Sequence, residues 1–215
     1  MRLSRLQVYN TLIRTGLVPV FSIADSARAA TFMQACVAGG VKVFEFTNRG
    51  ATAFEVFHHL RQTFPEHILG IGSIIDAPTA ALYIAHGADF VVSPVFDVAT
   101  AELCHLRKIA YLPGCGSASE IQQAHRIGVE IVKLFPAHHY GADFVKSILA
   151  PMPHTRIMPT GGIAPTEDAI REWFQAGVSC VGIGSKLQKV DNVTTKCQHL
   201  LTWIARYRED DGYEL

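Results

Sequence analysis

Two charges interrupt runs that otherwise read as buried. Lys133 sits in Ile131-Val132-Lys133-Leu134-Phe135, and Glu45 sits in Val43-Phe44-Glu45-Phe46-Thr47. Lysine and glutamate are almost never fully buried unless paired. A lysine in such a place can do covalent chemistry, because an amine must be neutral to attack a carbonyl. An ordinary lysine, with a pKa of ~10.4, is neutral only about once in a few thousand at pH 7. Burial among Val132, Leu134 and Phe135, with the cation Arg49 nearby, favours the neutral form. An ionised carboxylate works in the opposite sense, so Glu45 makes most sense as a proton carrier and not as a permanent counter-ion. Plainer readings stay open. Lys133 and Glu45 can be a structural ion pair, Lys133 can snorkel to water as Lys42 is expected to do, and Arg49 can be a surface charge.

Two glycine-rich endings suggest a second kind of chemistry. Thr160-Gly161-Gly162 and Gly182-Ile183-Gly184-Ser185 each close a short apolar run. Glycine lets backbone N–H groups approach an oxyanion, and a following helix adds its N-terminal dipole. Either ending alone could be a tight turn. The paired histidines His58-His59 and His138-His139 invite a metal, but neither has the i, i+4 spacing of a helical zinc motif. No neighbouring cysteine or carboxylate completes a ligand set, so no metal is expected. His58 and His59 fall mid-helix and are expected in solvent, whereas His138 and His139 would line the substrate entrance.

The elements that must position these residues recur with a regular beat. Short, near-continuously apolar runs cover 18–23, 42–47, 67–74, 90–95, 109–115, 131–137, 156–163 and 180–185. Strands covered on both faces have this pattern, and parallel sheets are its usual setting. Helical spacing fills the intervals at 25–38, 76–86, 117–127, 140–149 and 165–176. Gly39 and Gly40 stop the first of these, and Pro165 suits the opening turn of the last. Residues before 18 read as a helix closing the barrel bottom, 191–208 as the last helix, and 209–215 as a polar tail that frays.

Eight βα units predict an α/β fold, a compact (β/α)8 TIM barrel forming one domain over residues 1–215. The doubly wound alternative lacks a glycine-rich turn after the first strand. Gly70-Ile71-Gly72 and Gly182-Ile183-Gly184 both miss the third glycine of a dinucleotide fingerprint, and no phosphate-binding GxxxxGK[ST] occurs, so no cofactor is expected. In a barrel the strand C-terminal ends hold the site, and the loops after strands seven and eight are the common phosphate position. Period-two alternation puts Glu45, Thr47 and Arg49 on the side of Val43, and Lys133 with Ile131 and Phe135.

The bulk numbers narrow the partners. Lysine plus arginine (19) equals aspartate plus glutamate (19) over 215 residues, so neither nucleic acid nor an anionic membrane is indicated. No apolar run reaches the ~18 residues of a membrane helix, and the N-terminus lacks a signal-peptide core. Five scattered cysteines without a CxxC read as reduced, buried thiols. The expected location is cytoplasmic.

The ordered motifs F-E-F-T-N-R at 44–49, G-I-G-S at 70–73, V-V-S-P at 91–94, Y-L-P-G at 111–114, V-K-L-F-P-A at 132–137, P-T-G-G-I at 159–163 and G-I-G-S at 182–185 resemble the class I KDPG/KHG aldolases. The resemblance spans about residues 16–187. It implies a metal-independent retro-aldol enzyme, a homotrimer acting on a small 2-keto acid. By that resemblance Lys133 would form the imine and Glu45 would shuttle protons. Arg49, Ser73 and Thr160 would hold the pyruvyl carboxylate, and Gly161, Gly162, Gly184 and Ser185 the distal phosphate. Ser73 stands where the family more often has threonine, Asn48-Arg49-Gly50 differs from the usual apolar-Arg-Thr, and Val95-Phe96 replaces a common glycine. A phosphosugar isomerase, epimerase or synthase on the same barrel, or a non-catalytic binding barrel, are the other readings of these residues.

Overall fold

A computed structural model describes residues 3–208; the expected polar tail at 209–215 lies outside them. Eight parallel strands alternate with helices. They are β1 (Leu17–Phe21), β2 (Val43–Thr47), β3 (Ile68–Gly72), β4 (Phe90–Val92), β5 in two pieces (Ala110–Leu112 and Gly114–Cys115), β6 (Ile131–Leu134), β7 (Arg156–Pro159) and β8 (Val181–Ile183). The helices are α1 (Arg5–Thr15) before β1, then α2 (Ser26–Ala38), α3 (Ala53–Thr63), α4 (Ala77–Ala85), α5 (Val98–Leu106), α6 (Ala118–Arg126), α7 (Ala137–Leu149), α8 (Glu167–Gln175) and α9 (Val193–Tyr207), one after each strand. Every apolar run of the sequence overlaps a strand, with β1 starting one residue ahead of its run.

The strands close into a barrel. One continuous sheet runs β5-β4-β3-β2-β1-β8, and the second piece of β5 pairs with β6, which pairs with β7. A parallel bridge from Thr160 to Gly182, with Ser179 N–H donating to the Ile157 carbonyl (3.0 Å), joins β7 to β8. The break in β5 falls at Pro113, which has no N–H to give a ladder. Its carbonyl still accepts from Lys133 N (2.8 Å). Below the break, where Tyr111 has no strand partner on the β6 side, the Tyr9 hydroxyl from α1 substitutes. It accepts from Tyr111 N (3.0 Å) and donates to Tyr111 O (3.3 Å). The N-terminal helix thus plugs the barrel and mends its seam.

Period two sorts the core into two layers. Outward residues such as Phe44, Ile71 and Val132 pack under the helices. Inward residues Val18, Val43, Ile68, Phe90, Ile131 and Met158 form a separate cluster with Val8, Tyr9 and Leu12 of α1. Gly70 makes this interior possible, since a Cβ there would collide with the Phe90 ring.

Two local expectations are corrected. The helix expected from Pro165 begins at Glu167, with Thr166 as its N-cap accepting from Ala169 N (3.4 Å). A side-chain acceptor at that position outcompetes a proline start. The helix expected over 140–149 is preceded by a turn from Ala137, and Gly141 at φ +72° separates the two. That turn carries His138 and His139.

Candidate active site

Following the inward positions up each strand leads from hydrocarbon to polar groups. On β2, Val43 is followed inward by Glu45 and Thr47; on β6, Ile131 is followed by Lys133; beyond β7, Thr160 follows Met158. Glu45, Thr47, Lys133 and Thr160 are all buried. β2 and β6 are not neighbours, so Lys133 and Glu45 meet only by crossing the barrel. Lys133 Nζ lies 3.3 Å from Glu45 Oε1, with the two side chains 7% and 0% exposed. The Phe135 ring caps the amine at 5.2 Å.

Two glycines clear the space for this layer. A Cβ at Gly72 would collide with Glu45 Oε1, and one at Gly182 with Thr160 Oγ1. Glu45 Oε2, Thr47 Oγ1 and Thr160 Oγ1 are buried without a hydrogen-bond partner. A buried polar atom without a partner costs roughly 1–3 kcal/mol. Three on the inward side of one barrel mark a place built to receive a polar molecule.

The remaining expected residues lie around this mouth. Ser73 directly follows β3 and holds a left-handed backbone (φ +62°), uncommon outside glycine. Asn48 N donates to Gly72 O (2.8 Å), stitching the loop after β2 to the end of β3, and Tyr83 of α4 donates its hydroxyl to Asn48 Oδ1 (2.8 Å). Arg49, on that loop, is exposed. The alternation extrapolated to it ends at Thr47, whose carbonyl accepts from Arg49 N (2.8 Å) in a turn. Arg49 therefore does not join the buried pair, contrary to the expectation of a cation beside Lys133.

The glycine-rich loops after β7 and β8 do come together. Gly161 (φ +99°) and Gly162 (φ +83°) take backbone shapes that side chains disfavour. The turn after β6 docks on them, with Ala137 N donating to Thr160 O (2.8 Å) and His138 N to Gly161 O (3.1 Å). Gly184 is partly exposed and Ser185 exposed. Lys186 Nζ reaches across to Gly162 O (2.5 Å). Sequence reading missed Lys186 because its partner lies 24 residues away on another loop. Period two puts Thr47 on the inward face without giving it a role, and its orphaned hydroxyl appears only once burial is known.

His58 and His59 are exposed on α3. No group of three or more metal-ligating side chains occurs among the described residues. Two shallow depressions, one beside Gln122 and Arg126 and one beside Arg61 and Glu66, lie away from the mouth and gather no nucleophile with a base.

A closed α/β barrel with an interior amine and carboxylate in contact beneath a polar mouth defines a barrel enzyme. The particular kind follows from its relatives. The model of the KDPG and KHG aldolase family matches residues 8–200. The 2-dehydro-3-deoxy-phosphogluconate aldolase of Pseudoalteromonas atlantica is 32% identical over 191 residues, covering 88% of each protein. The KHG/KDPG aldolase of Escherichia coli K12 is 30% identical over 199 residues, covering 91% of this chain and 92% of that one. A solved KDPG aldolase of Legionella pneumophila, with pyruvate captured as a covalent carbinolamine intermediate, superposes with a TM-score of 0.79 at 26% identity. It covers 94% of this chain and 98% of that one. The chain belongs to the KDPG/KHG aldolase family, and it is a lyase. No described helix is long and apolar enough to cross a membrane.

Proposed function

We propose that this chain, acting as one catalytic domain, cleaves 2-keto-3-deoxy-6-phosphogluconate to pyruvate and glyceraldehyde 3-phosphate, with 4-hydroxy-2-oxoglutarate as a shorter substrate. The observation that carries the reading is the 3.3 Å contact between Lys133 Nζ and Glu45 Oε1 inside the barrel. At that distance a proton can pass between Nζ and Oε1, which is the transfer an imine-forming amine and its acid–base partner need.

The neutral amine adds to the C2 carbonyl, and the carbinolamine expels water to give an iminium. Glu45, returned to its carboxylate, takes the proton of the C4 hydroxyl as the C3–C4 bond breaks. The bonding electrons move into the iminium to make an enamine, and the aldehyde departs. Glu45 then protonates C3, and water releases pyruvate and the free amine. Covalent catalysis divides one hard step into easier ones. Glu45 Oε2, with no protein partner, is the oxygen available to the substrate.

Thr160, Ser73 and Arg49 hold the pyruvyl carboxylate in this reading. Gly161, Gly162, Gly184 and Ser185 receive the phosphate through backbone and hydroxyl donors. Arg49 starts on the surface and has to swing inward on substrate binding. The family resemblance supports a cytoplasmic homotrimer. Exposed Ile75, Val95 and Val98 are apolar side chains a neighbouring copy would cover. Sedimentation as a monomer at micromolar concentration would remove the trimer.

Reduction with borohydride in the presence of pyruvate tests the chemistry. A pyruvyl adduct on Lys133, found by peptide mass spectrometry, is expected; an unmodified Lys133 at saturating pyruvate defeats the reading. Glu45→Gln is expected to lower kcat about 10²- to 10⁴-fold, and full activity in that variant would remove the proton-shuttle role.

A further inference from the structure

The phosphate reading above uses only backbone and hydroxyl donors, yet a side-chain cation stands at the same place. Lys186 follows Ser185 directly, and its Nζ is hydrogen-bonded to Gly162 O at 2.5 Å. That contact fixes the ammonium between the loops after β7 and β8. An ammonium carries three donors; Gly162 takes one, and two remain. Among the described residues no carboxylate pairs with Lys186. A carbonyl oxygen orients the group but leaves its charge uncompensated. Among the described residues the exposed cations Lys146, Arg171 and Arg206 are each held by a carboxylate, whereas Arg208 reaches backbone carbonyls of Arg14 and Ser179. Lys186 is tethered with its charge left to spend on something else.

A second side chain packs on the same glycine. His138 packs on Gly162 so closely that a Cβ there would come within 2.6 Å of His138 Cβ and 3.0 Å of Nδ1. An imidazole and an ammonium therefore both lie against Gly162, His138 where a side chain would project and Lys186 on its carbonyl.

We infer that Lys186 is a specificity-determining residue, a charged clamp that makes the enzyme prefer 2-keto acids ending in a phosphate dianion over those with a neutral end. His138 forms the second wall of the clamp. The inference rests on reading the β7–β8 mouth as the distal-phosphate subsite. It adds that discrimination comes from a side-chain charge and not from glycine N–H groups alone. A lysine meets phosphate as a point charge, so the clamp ranks substrates by charge more than by shape.

The test is the ratio of kcat/KM for 2-keto-3-deoxy-6-phosphogluconate to that for unphosphorylated 2-keto-3-deoxygluconate, in the wild type, Lys186→Met and Lys186→Arg. A charge-assisted contact of this kind corresponds to about a 10- to 100-fold effect. The ratio should fall by that factor in Lys186→Met, mainly through KM for the phosphorylated substrate, and Lys186→Arg should restore most of it. If both substrates decline equally, Lys186 is a loop staple and the inference is wrong. An unchanged ratio overturns it too. Borohydride trapping of pyruvate on Lys133 in the same samples separates the cases: trapping with an unchanged ratio refutes only the clamp, whereas failure to trap in the wild type refutes the aldolase reading beneath it.

Discussion

The two floors of the barrel interior are built on the same strands, in the same period, with opposite economies. On the lower floor Val18, Val43, Ile68, Phe90, Ile131 and Met158 pack against α1, and the polar groups are matched: Tyr9 gives and takes one hydrogen bond with the backbone of Tyr111. Two residues further along β2, β6 and β7 the floor above holds Glu45, Lys133 and Thr160, with Thr47 two beyond Glu45 and three oxygens unmatched. Satisfied polarity stabilises a fold, and unsatisfied polarity stores binding capacity for a ligand at the expense of stability. The difference teaches that burial alone does not identify a site. Unpartnered buried groups mark one where several gather on the inward side at the strand ends; single ones such as Thr155 Oγ1 occur elsewhere on the barrel.

Removing the reactive pair tests this contrast with the largest expected effect. Lys133→Met with Glu45→Leu should abolish turnover, a loss of at least about 10⁴-fold. The same double variant should fold with stability equal to the wild type or about 1–4 kcal/mol higher, because well-packed apolar residues often replace a buried ion pair without cost. Urea unfolding alongside the aldol assay reads both. A folded variant that is much less stable would mean the upper floor holds the barrel together as the lower one does.

Phe90→Ala attacks the lower floor. Phe90 is fully buried over Gly70, and truncating such a side chain costs about 3–5 kcal/mol. The expected outcome is a large drop in the urea midpoint with kcat nearly unchanged in the fraction that stays folded. A fall in kcat as large as that of Glu45→Gln would erase the distinction between floors.

Alkaline titration separates the floors by charge. Burial pushes the Tyr9 phenol up to about 12 from its ordinary 10. Both states are protonated below pH 10. Between pH 10 and 12 the unfolded chain loses this proton first, so Tyr9's share of stability, about 2–3 kcal/mol, is intact below 10 and lost as pH rises through 12. Tyr9→Phe should make the decline of Tm with pH over this window shallower. It will not abolish it, since burial also pushes Tyr83 and Tyr111 up to about 12. At neutral pH the same variant should be less stable, because Tyr111 N–H and C=O lose their partner.

Much of both floors was legible in the sequence, for physical reasons. A strand buried on both faces has to be apolar throughout, so all eight were visible as runs, and a charge inside such a run announced Lys133 and Glu45. Alternation holds only while the chain is extended, which is why it served for Thr47 and failed for Arg49, two residues beyond in a turn. Pro113 lies inside an apolar run, yet its missing N–H splits β5 and hands Tyr111 to Tyr9, a contact 102 residues apart. Lys186 and His138 meet at Gly162 through three separate loops, and no local pattern encodes such a meeting.

The smallest predicted effect divides the floors most finely. Thr47 and Val43 lie on the same face of β2, but the Thr47 hydroxyl is buried with no hydrogen-bond partner. Valine has nearly the shape of threonine, so Thr47→Val removes that oxygen and leaves the packing alone. Eliminating an unpaired buried hydroxyl should stabilise the protein by about 1 kcal/mol. If the hydroxyl exists to meet substrate, kcat/KM must fall in the same variant even as the urea midpoint rises. A gain in one quantity and a loss in the other from a single atom is the signature of a group held unpaired for its ligand. A loss of stability would instead reveal that Thr47 is already satisfied, and that the upper floor is ordinary core.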